Sequence, residues 1–255
     1  MKMENFNMNR FGKLLRWTYW HDKNEFVRSQ LQGLIGLVFC FIFLHMGSDQ
    51  GNRDFLRTGS LVIMICLFIN FVCTASNMHY TMKTRDDWRA LNLLPASNLE
   101  KFLARYLSAL LMGVGVIVEL LFADIIQYLI SLTVMPSSAQ LVISHAISDP
   151  TLFESQPLGE ALASIVAMIM LHSCFLLGAN LFRSAKYAWL LTTVTLIIVA
   201  AIFVSIVYHT GSFQKESIVP DWIEYTICCV IIVFNYWLSF RLFCRRQLIG
   251  KFINH

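Results

Sequence analysis

Charge is scarce in this chain. Asp, Glu, Lys and Arg make up 14% of its 255 residues, while 56% are hydrophobic; an ordinary soluble domain carries roughly 25% charge. A soluble fold of this size has nowhere to hide apolar runs so long and so numerous, so a membrane protein is the first reading. Catalytic signatures are missing too. There is no GxxxxGK[ST] phosphate loop, so the chain is not expected to bind ATP itself, and there is no HExxH and no GxSxG elbow. The cysteines Cys40, Cys66, Cys73, Cys174, Cys228, Cys229 and Cys244 form no CxxC and no Cys/His ligand spacing. All but Cys244 lie in apolar runs, as small packing residues do. No metal and no cofactor of the chain's own is expected. No apolar segment precedes residue 31, so no cleavable signal peptide is expected. The basic excess, formally +4, is clustered between the apolar runs, which points to membrane orientation and away from nucleic acid.

What is present is a series of six apolar stretches, near 31–46, 59–75, 106–134, 161–181, 188–208 and 222–243. A helix crossing about 30 Å of hydrocarbon needs about 20 such residues. The expected fold is therefore all-α and polytopic, with six transmembrane helices preceded by an interfacial amphipathic helix. The third stretch is long enough to tilt, or to kink at Gly113 or Gly115. Tyr106, Tyr187, Trp189, Trp222 and Tyr225 sit at proposed span ends, where amphipathic rings favour the headgroup layer. The longest loop, roughly 135–160, carries Pro136, Pro150 and Pro157 and no Lys or Arg.

Loop charges then set the orientation. With the N-terminus in the cytoplasm, 17 of the 20 basic residues fall inside and only Arg53, Arg57 and Lys215 outside. The positive-inside rule favours that arrangement, with both termini cytoplasmic. The domain plan is a cytoplasmic elbow segment at 1–30, the six-span region at 31–243 with an inner loop at 76–105, and a basic cytoplasmic tail at 244–255. In the elbow, Phe11, Leu14, Leu15 and Tyr19 follow one helix face. Arg10, Lys13 and Arg16 are interleaved, and Trp17 and Trp20 are available to the interface.

The inner loop is the most informative segment. Asp86 and Asp87 are placed to cap a short helix with Trp88, Leu91 and Leu94 on its apolar side. Pro95 ends that helix, because the residue before a proline is disfavoured in helical geometry. Ser97 and Glu100 then form a capping box for a new helix that continues through Lys101 and Arg105 into the third span. The run Arg85-Asp86-Asp87-Trp88-Arg89-Ala90-Leu91-Asn92-Leu93-Leu94-Pro95-Ala96-Ser97, followed by Glu100-Lys101-Phe102-Leu103-Ala104-Arg105-Tyr106, resembles the first cytoplasmic loop of type-2 ABC export permeases. There an acidic residue leads to a leucine-rich turn and a leucine–proline–small–serine corner, with a basic residue before the third span. LLPASNLEKFLARYL is similar to the form common in Bacteroidota. Where many of the family have Gly-Thr after the acidic residue, this chain has Trp88-Arg89.

The resemblance implies a permease subunit of an ATP-driven exporter in a bacterial inner membrane, working by alternating access. It implies a separate cytoplasmic ABC ATPase that binds ATP and Mg, and a second permease copy or homologous permease as partner. It also implies that Arg85, Asp86, Asp87, Trp88, Leu91, Leu94, Pro95, Ser97, Glu100 and Lys101 couple to that ATPase, and that the chain is not itself an enzyme. The alternative is a non-transporting membrane scaffold or assembly factor, which has no need of the elbow and the proline corner.

Polar residues inside the spans are Asn70, Glu119, Asp124, Gln127, His172, Asn180 and Asn235. They either line a pathway or hold helices together. Glu119 and Asp124 lie about 140° apart around a helix and make no carboxylate pair, whereas Asp124 and Gln127 are close enough to share hydrogen bonds. The set is too scattered in depth for an intramembrane protease.

The charge split gives a direct topology test. In a cysteine-free background, single cysteines at Ser138 and Ser217 should label from outside. Cysteines at Ser97 and Ser184 should label only after permeabilisation. Outside labelling at Ser97 would reverse the orientation.

Overall fold

The computed structural model describes residues 6–46, 52–82, 84–134, 139–148, 158–182, 187–209 and 221–252. Lys83, the loop prolines Pro136, Pro150 and Pro157, and the basic residues Lys2, Arg183, Lys186 and Lys215 lie outside them; of Arg85 and Trp222 only the backbone is described. The described residues contain helices and no strand. In order these are α1 (Met8–Met46), α2 (Asn52–Thr74) with a short 3-10 helix (Ala75–His79), α3 (Arg85–Leu93), α4 (Asn98–Val134), α5 (Val142–Ser148), α6 (Leu158–Leu181), α7 (Ala188–His209) and α8 (Asp221–Phe252). Six of them are long and apolar enough to cross a membrane, with mean hydropathy from 1.7 to 2.5 over their most apolar windows. The chain is an all-α, multi-pass membrane protein.

Several boundaries differ from the sequence reading. The elbow and the first span are one helix, α1, of 39 residues; no proline interrupts residues 8–46, and Gly33 and Gly36 cost only about 1 kcal/mol each in a helix interior. The basic tail is helical to Phe252 as the continuation of α8. Neither Gly113 nor Gly115 breaks α4, which runs for 37 residues. The 135–160 loop contains α5, whose apolar run was too short to register as a span.

The chain divides into two compact units. One comprises Met1–Thr18, Val72–Ala109 and Leu158–His255, the other Tyr19–Phe71 and Leu110–Pro157. In the first, α6 packs along α8, α7 and the 3-10 helix. Its core gathers Met78, Met82, Leu91, Phe102, Phe175, Leu176 and Phe243, with Trp17, Trp88 and Leu94 packed against it. Gly178 permits a close α6–α7 approach, since a Cβ there would run into the Thr192 side chain.

In the second unit, Phe41, Phe55, Leu56, Ile63, Leu120 and Val142 form the core. Here α5 is built in, with Val142 and Ala146 buried. At the start of α1, in the first unit, Leu14 and Thr18 are buried and Trp17 packs against the core, and further along Asp22 is buried; Tyr19, which the sequence pattern places on one helix face with Phe11, Leu14 and Leu15, is 48% exposed. Thr18 is four residues after Leu14 and lies beneath it on the buried face, whereas Tyr19 follows Leu15 around the side of the helix.

Candidate functional site

The first turns of α4 hold the start of α1, the end of α3 and the end of the 3-10 helix. Ser97 and Glu100 cap α4 reciprocally: the Ser97 amide donates to Glu100 Oε2 at 2.9 Å, and the Glu100 amide donates to Ser97 Oγ at 3.3 Å. The same carboxylate, with no solvent exposure, receives the Arg10 guanidinium through Nε at 2.7 Å and Nη2 at 2.9 Å, and the Asn7 amide at 2.8 Å. Asn7 in turn caps α1, its Oδ1 accepting from the amides of Asn9 and Arg10. A forked Arg–carboxylate pair fixes direction as well as distance.

Lys101 and Arg105 are also buried, at 4% and 1% exposure. Lys101 Nζ donates to the Asn92 carbonyl at 3.1 Å, in the last turn of α3. Arg105 donates through Nε and Nη2 to the Met78 carbonyl, at 3.2 and 2.9 Å, and through Nη2 to Thr81 Oγ1 at 2.6 Å. Cations belong at helix C-termini, where carbonyls lack intrahelical partners. Arg105 reads in the sequence as one orientation charge among many; its capping role joins residues 27 apart and leaves no local signal.

Between these anchors, α3 is closed at both ends. Thr84, not the Asp86–Asp87 pair, is the N-cap: Thr84 Oγ1 accepts from the Asp87 amide at 3.2 Å, and Asp87 Oδ2 accepts from the Thr84 amide at 2.8 Å. The Thr-x-x-Asp spacing was available in the sequence, but the two adjacent acids masked it. Leu94 leaves helical geometry just before Pro95.

The sides of α3 then divide cleanly. Trp88 and Leu91 point into the unit's core, Leu91 with no exposure, and Trp88 packs on His79 with ring centroids 5.0 Å apart. The apolar side named from sequence is therefore the seat of the helix. The opposite side, at i, i+3 and i+7, carries Asp86, Arg89 and Leu93. Leu93 is 83% exposed, and Arg89 Nη1 meets Asp86 Oδ1 at 3.0 Å with both side chains in solvent. Such an exposed pair adds about 0–1 kcal/mol, so it decorates the surface rather than holding the fold. Pro95 is exposed beside them.

The polar residues within spans all have defined surroundings. Asn70 Nδ2 donates to the Gly113 carbonyl at 2.9 Å. Glu119 lies against Gly33, where a Cβ would collide with its carboxylate. Asp124 and Gln127 do not share bonds. Asp124 accepts the Val142 and Ile143 amides at 2.9 and 3.0 Å, capping α5, and Gln127 donates to Ser131 Oγ at 2.8 Å. Ser131 is one turn along the same helix face, whereas α5 occupies the Asp124 side.

In the other unit, His172 Nε2 meets Tyr106 Oη at 2.9 Å, and Tyr106 reaches Tyr236 Oη at 3.3 Å. Tyr106, expected at the headgroup layer, thus belongs to a polar contact linking α4, α6 and α8. Asn180 Oδ1 meets His79 Nε2 at 3.0 Å, and Asn235 Nδ2 donates to Ser173 Oγ at 3.0 Å. Each of these is the geometry of interhelical attachment, worth about 0.6–2 kcal/mol per bond. Among the described residues, no three of His, Cys, Asp or Glu gather in a group able to hold a metal ion. No protein-family model, curated protein or solved structure matches the chain.

Glu100 lies in the charged first turns of α4, ahead of the apolar stretch that begins at Tyr106. Burial pushes its carboxyl up, but the Arg10 guanidinium and the Asn7 and Ser97 amides outweigh that and take it down to about 2. A carboxyl depressed in the folded state stabilises above its unfolded value of about 4.3 and loses that contribution as pH falls toward the folded value. Glu100→Gln should therefore lower thermal stability at pH 7 by about 1–3 kcal/mol, the cost of leaving buried donors underserved. The gap to wild type should close between about pH 5 and pH 2. A gap that stays constant across that window in thermal melts would contradict the assignment.

Proposed function

We propose that this chain is the membrane-spanning permease subunit of an ATP-driven exporter of the type-2 ABC kind, with α3 and the Leu94–Ser97 corner as its coupling element. The observation that carries the reading is the build of α3. A nine-residue helix does not hold by itself in water, yet this one is capped at both ends, seated by Trp88 and Leu91, and leaves Asp86, Arg89 and Leu93 free on one side. That is an element built to be pushed. The surrounding sequence has the leucine–proline–small–serine corner of the permease family, and the chain has the family's six spans.

In this reading α3 faces the cytoplasm, both termini lie on that side of a bacterial inner membrane, and the separate ATPase subunit binds ATP and Mg. Closure of two ATPase subunits presses on the α3 elements of two permeases, identical or homologous. Glu100, Lys101 and Arg105 pass that displacement to α1, α4 and the end of α2, which drives alternating access. The docking contacts are Asp86, Arg89, Leu93 and Pro95. Trp88, Leu91 and Leu94 act from beneath, as the packing that keeps the element in shape.

The division of α3 into a seated and a free side separates docking from folding. Leu93→Arg combined with Arg89→Glu alters only exposed atoms. It should leave thermal stability unchanged while removing the ATPase encoded beside the gene from the detergent-purified complex, since a hot-spot change of about 2 kcal/mol weakens binding about thirtyfold. Leu91→Ala should instead lower stability by about 2–5 kcal/mol, as a buried leucine does. Full retention of ATPase by the double variant, or no ATPase with wild type, would discard the permease reading in favour of a scaffold or assembly factor.

A further inference from the structure

The outward face of α8 carries an arrangement that the permease reading does not use. Ile227, Val230, Phe234 and Trp237 are 54%, 64%, 53% and 51% exposed. At about 100° per residue they share one stripe with Arg241 and Arg245, both also exposed. The stripe is apolar for about 15 Å and cationic for the next two turns. The other side of α8, with Asn235, Ser239 and Phe243, is buried.

The cationic end is organised. The Arg241 guanidinium lies 5.1 Å from the centroid of the Trp237 ring, and the Phe234 ring continues the aromatic surface 6.0 Å deeper. Arg241 and Arg245 sit one turn apart, where like charges repel. Among the described residues neither is paired with a carboxylate. Two guanidiniums left facing outward beside an exposed indole call for an anion, and the apolar stripe calls for a chain of methylenes attached to it.

We propose that this face of α8 is the seat of an anionic phospholipid, with an acyl chain along Ile227–Trp237 and the phosphodiester held between Arg241 and Arg245. Guanidinium forks match phosphate oxygens in pairs, and indole rings settle at the ester level of a bilayer. A zwitterionic lipid brings its own cation to the same two arginines and fits less well. A second copy of the chain meeting this stripe with its own would set four guanidiniums together, so charge argues against a like-on-like interface here.

The test is titration of the detergent-purified chain with palmitoyl-oleoyl phosphatidylglycerol or phosphatidylcholine, with bound lipid counted by native mass spectrometry. Phosphatidylglycerol should be retained in preference. Either single Arg→Gln change should weaken it roughly fivefold, and Arg241→Gln with Arg245→Gln about thirtyfold, from the typical contribution of a basic residue at an anionic surface. Arg241→Lys with Arg245→Lys, which keeps charge but loses the fork, should fall between. Lys13→Gln with Arg16→Gln, at exposed basic positions on α1, should cost far less than the paired change on α8. Phosphatidylglycerol with brominated acyl chains should quench a component of tryptophan emission that Trp237→Phe removes. Equal binding of phosphatidylcholine, retention by the double glutamine variant, an equal loss from the Lys13 and Arg16 changes, or quenching that does not depend on Trp237 would each overturn the proposal.

Discussion

Three ionic side chains at the start of α4, Glu100, Lys101 and Arg105, are almost wholly withdrawn from solvent. A buried charge without partners costs several kcal/mol, and that cost dictates the local architecture. Each charge is satisfied by a different element: Glu100 by Arg10 and the capped start of α1, Lys101 by the last turn of α3, Arg105 by the carbonyl that ends the 3-10 helix. No one of these helix ends can move away without stranding a charge. The requirement that buried ions be paired thus sets where α1 begins, where α3 ends and where α2 hands over to the loop.

That constraint explains why so short a helix as α3 has a definite place. Its seat is made by rings as well as charges. Trp88 touches His79, His79 stacks on Phe243 with centroids 6.0 Å apart, and Phe243 meets Phe102 edge-on at 5.5 Å. Phe102 follows Lys101 directly, so the residues that anchor the end of α3 and those that underlie its middle come from the same turn of α4. Deeper in the same unit, the Tyr106–His172–Tyr236 contact and the Asn235–Ser173 bond join α4, α6 and α8. Hydrogen bonds do that work in a span because lipid provides no hydrophobic contrast to drive helices together.

Much of this was legible in the sequence, for identifiable reasons. The six spans follow from apolar length alone, and the Ser97–Glu100 box and the Pro95 stop follow from local backbone chemistry. Local signals failed where two patterns competed. Asp86 and Asp87 obscured Thr84 as the cap, and the amphipathic look of residues 9–30 suggested a separate element where nothing interrupts the helix. They failed again where the partner is distant in sequence. Nothing near Arg10 announces Glu100, and nothing near Arg105 announces Met78. The apolar side of α3 was recognised as apolar, yet a helical stripe of Trp88 and Leu91 reads the same whether it faces a partner or its own core, and only the packing decides. The short apolar run at α5 likewise gains meaning only from Asp124, eighteen residues before it.

The central claim is that α3 is preformed, held by the chain's own charges and rings before any partner arrives. Amide hydrogen exchange of the purified chain alone across residues 87–94, the amides of α3 and its C-cap that have acceptors, measures this directly. A nine-residue helix without tertiary support exchanges nearly as fast as an unfolded peptide. The structure requires these amides to exchange at least a hundredfold more slowly than that, and Glu100→Gln, which loosens the junction, to bring them closer to the unfolded rate. Exchange at the unfolded rate in the wild-type chain would mean that α3 forms only on contact with a partner, and would contradict the account.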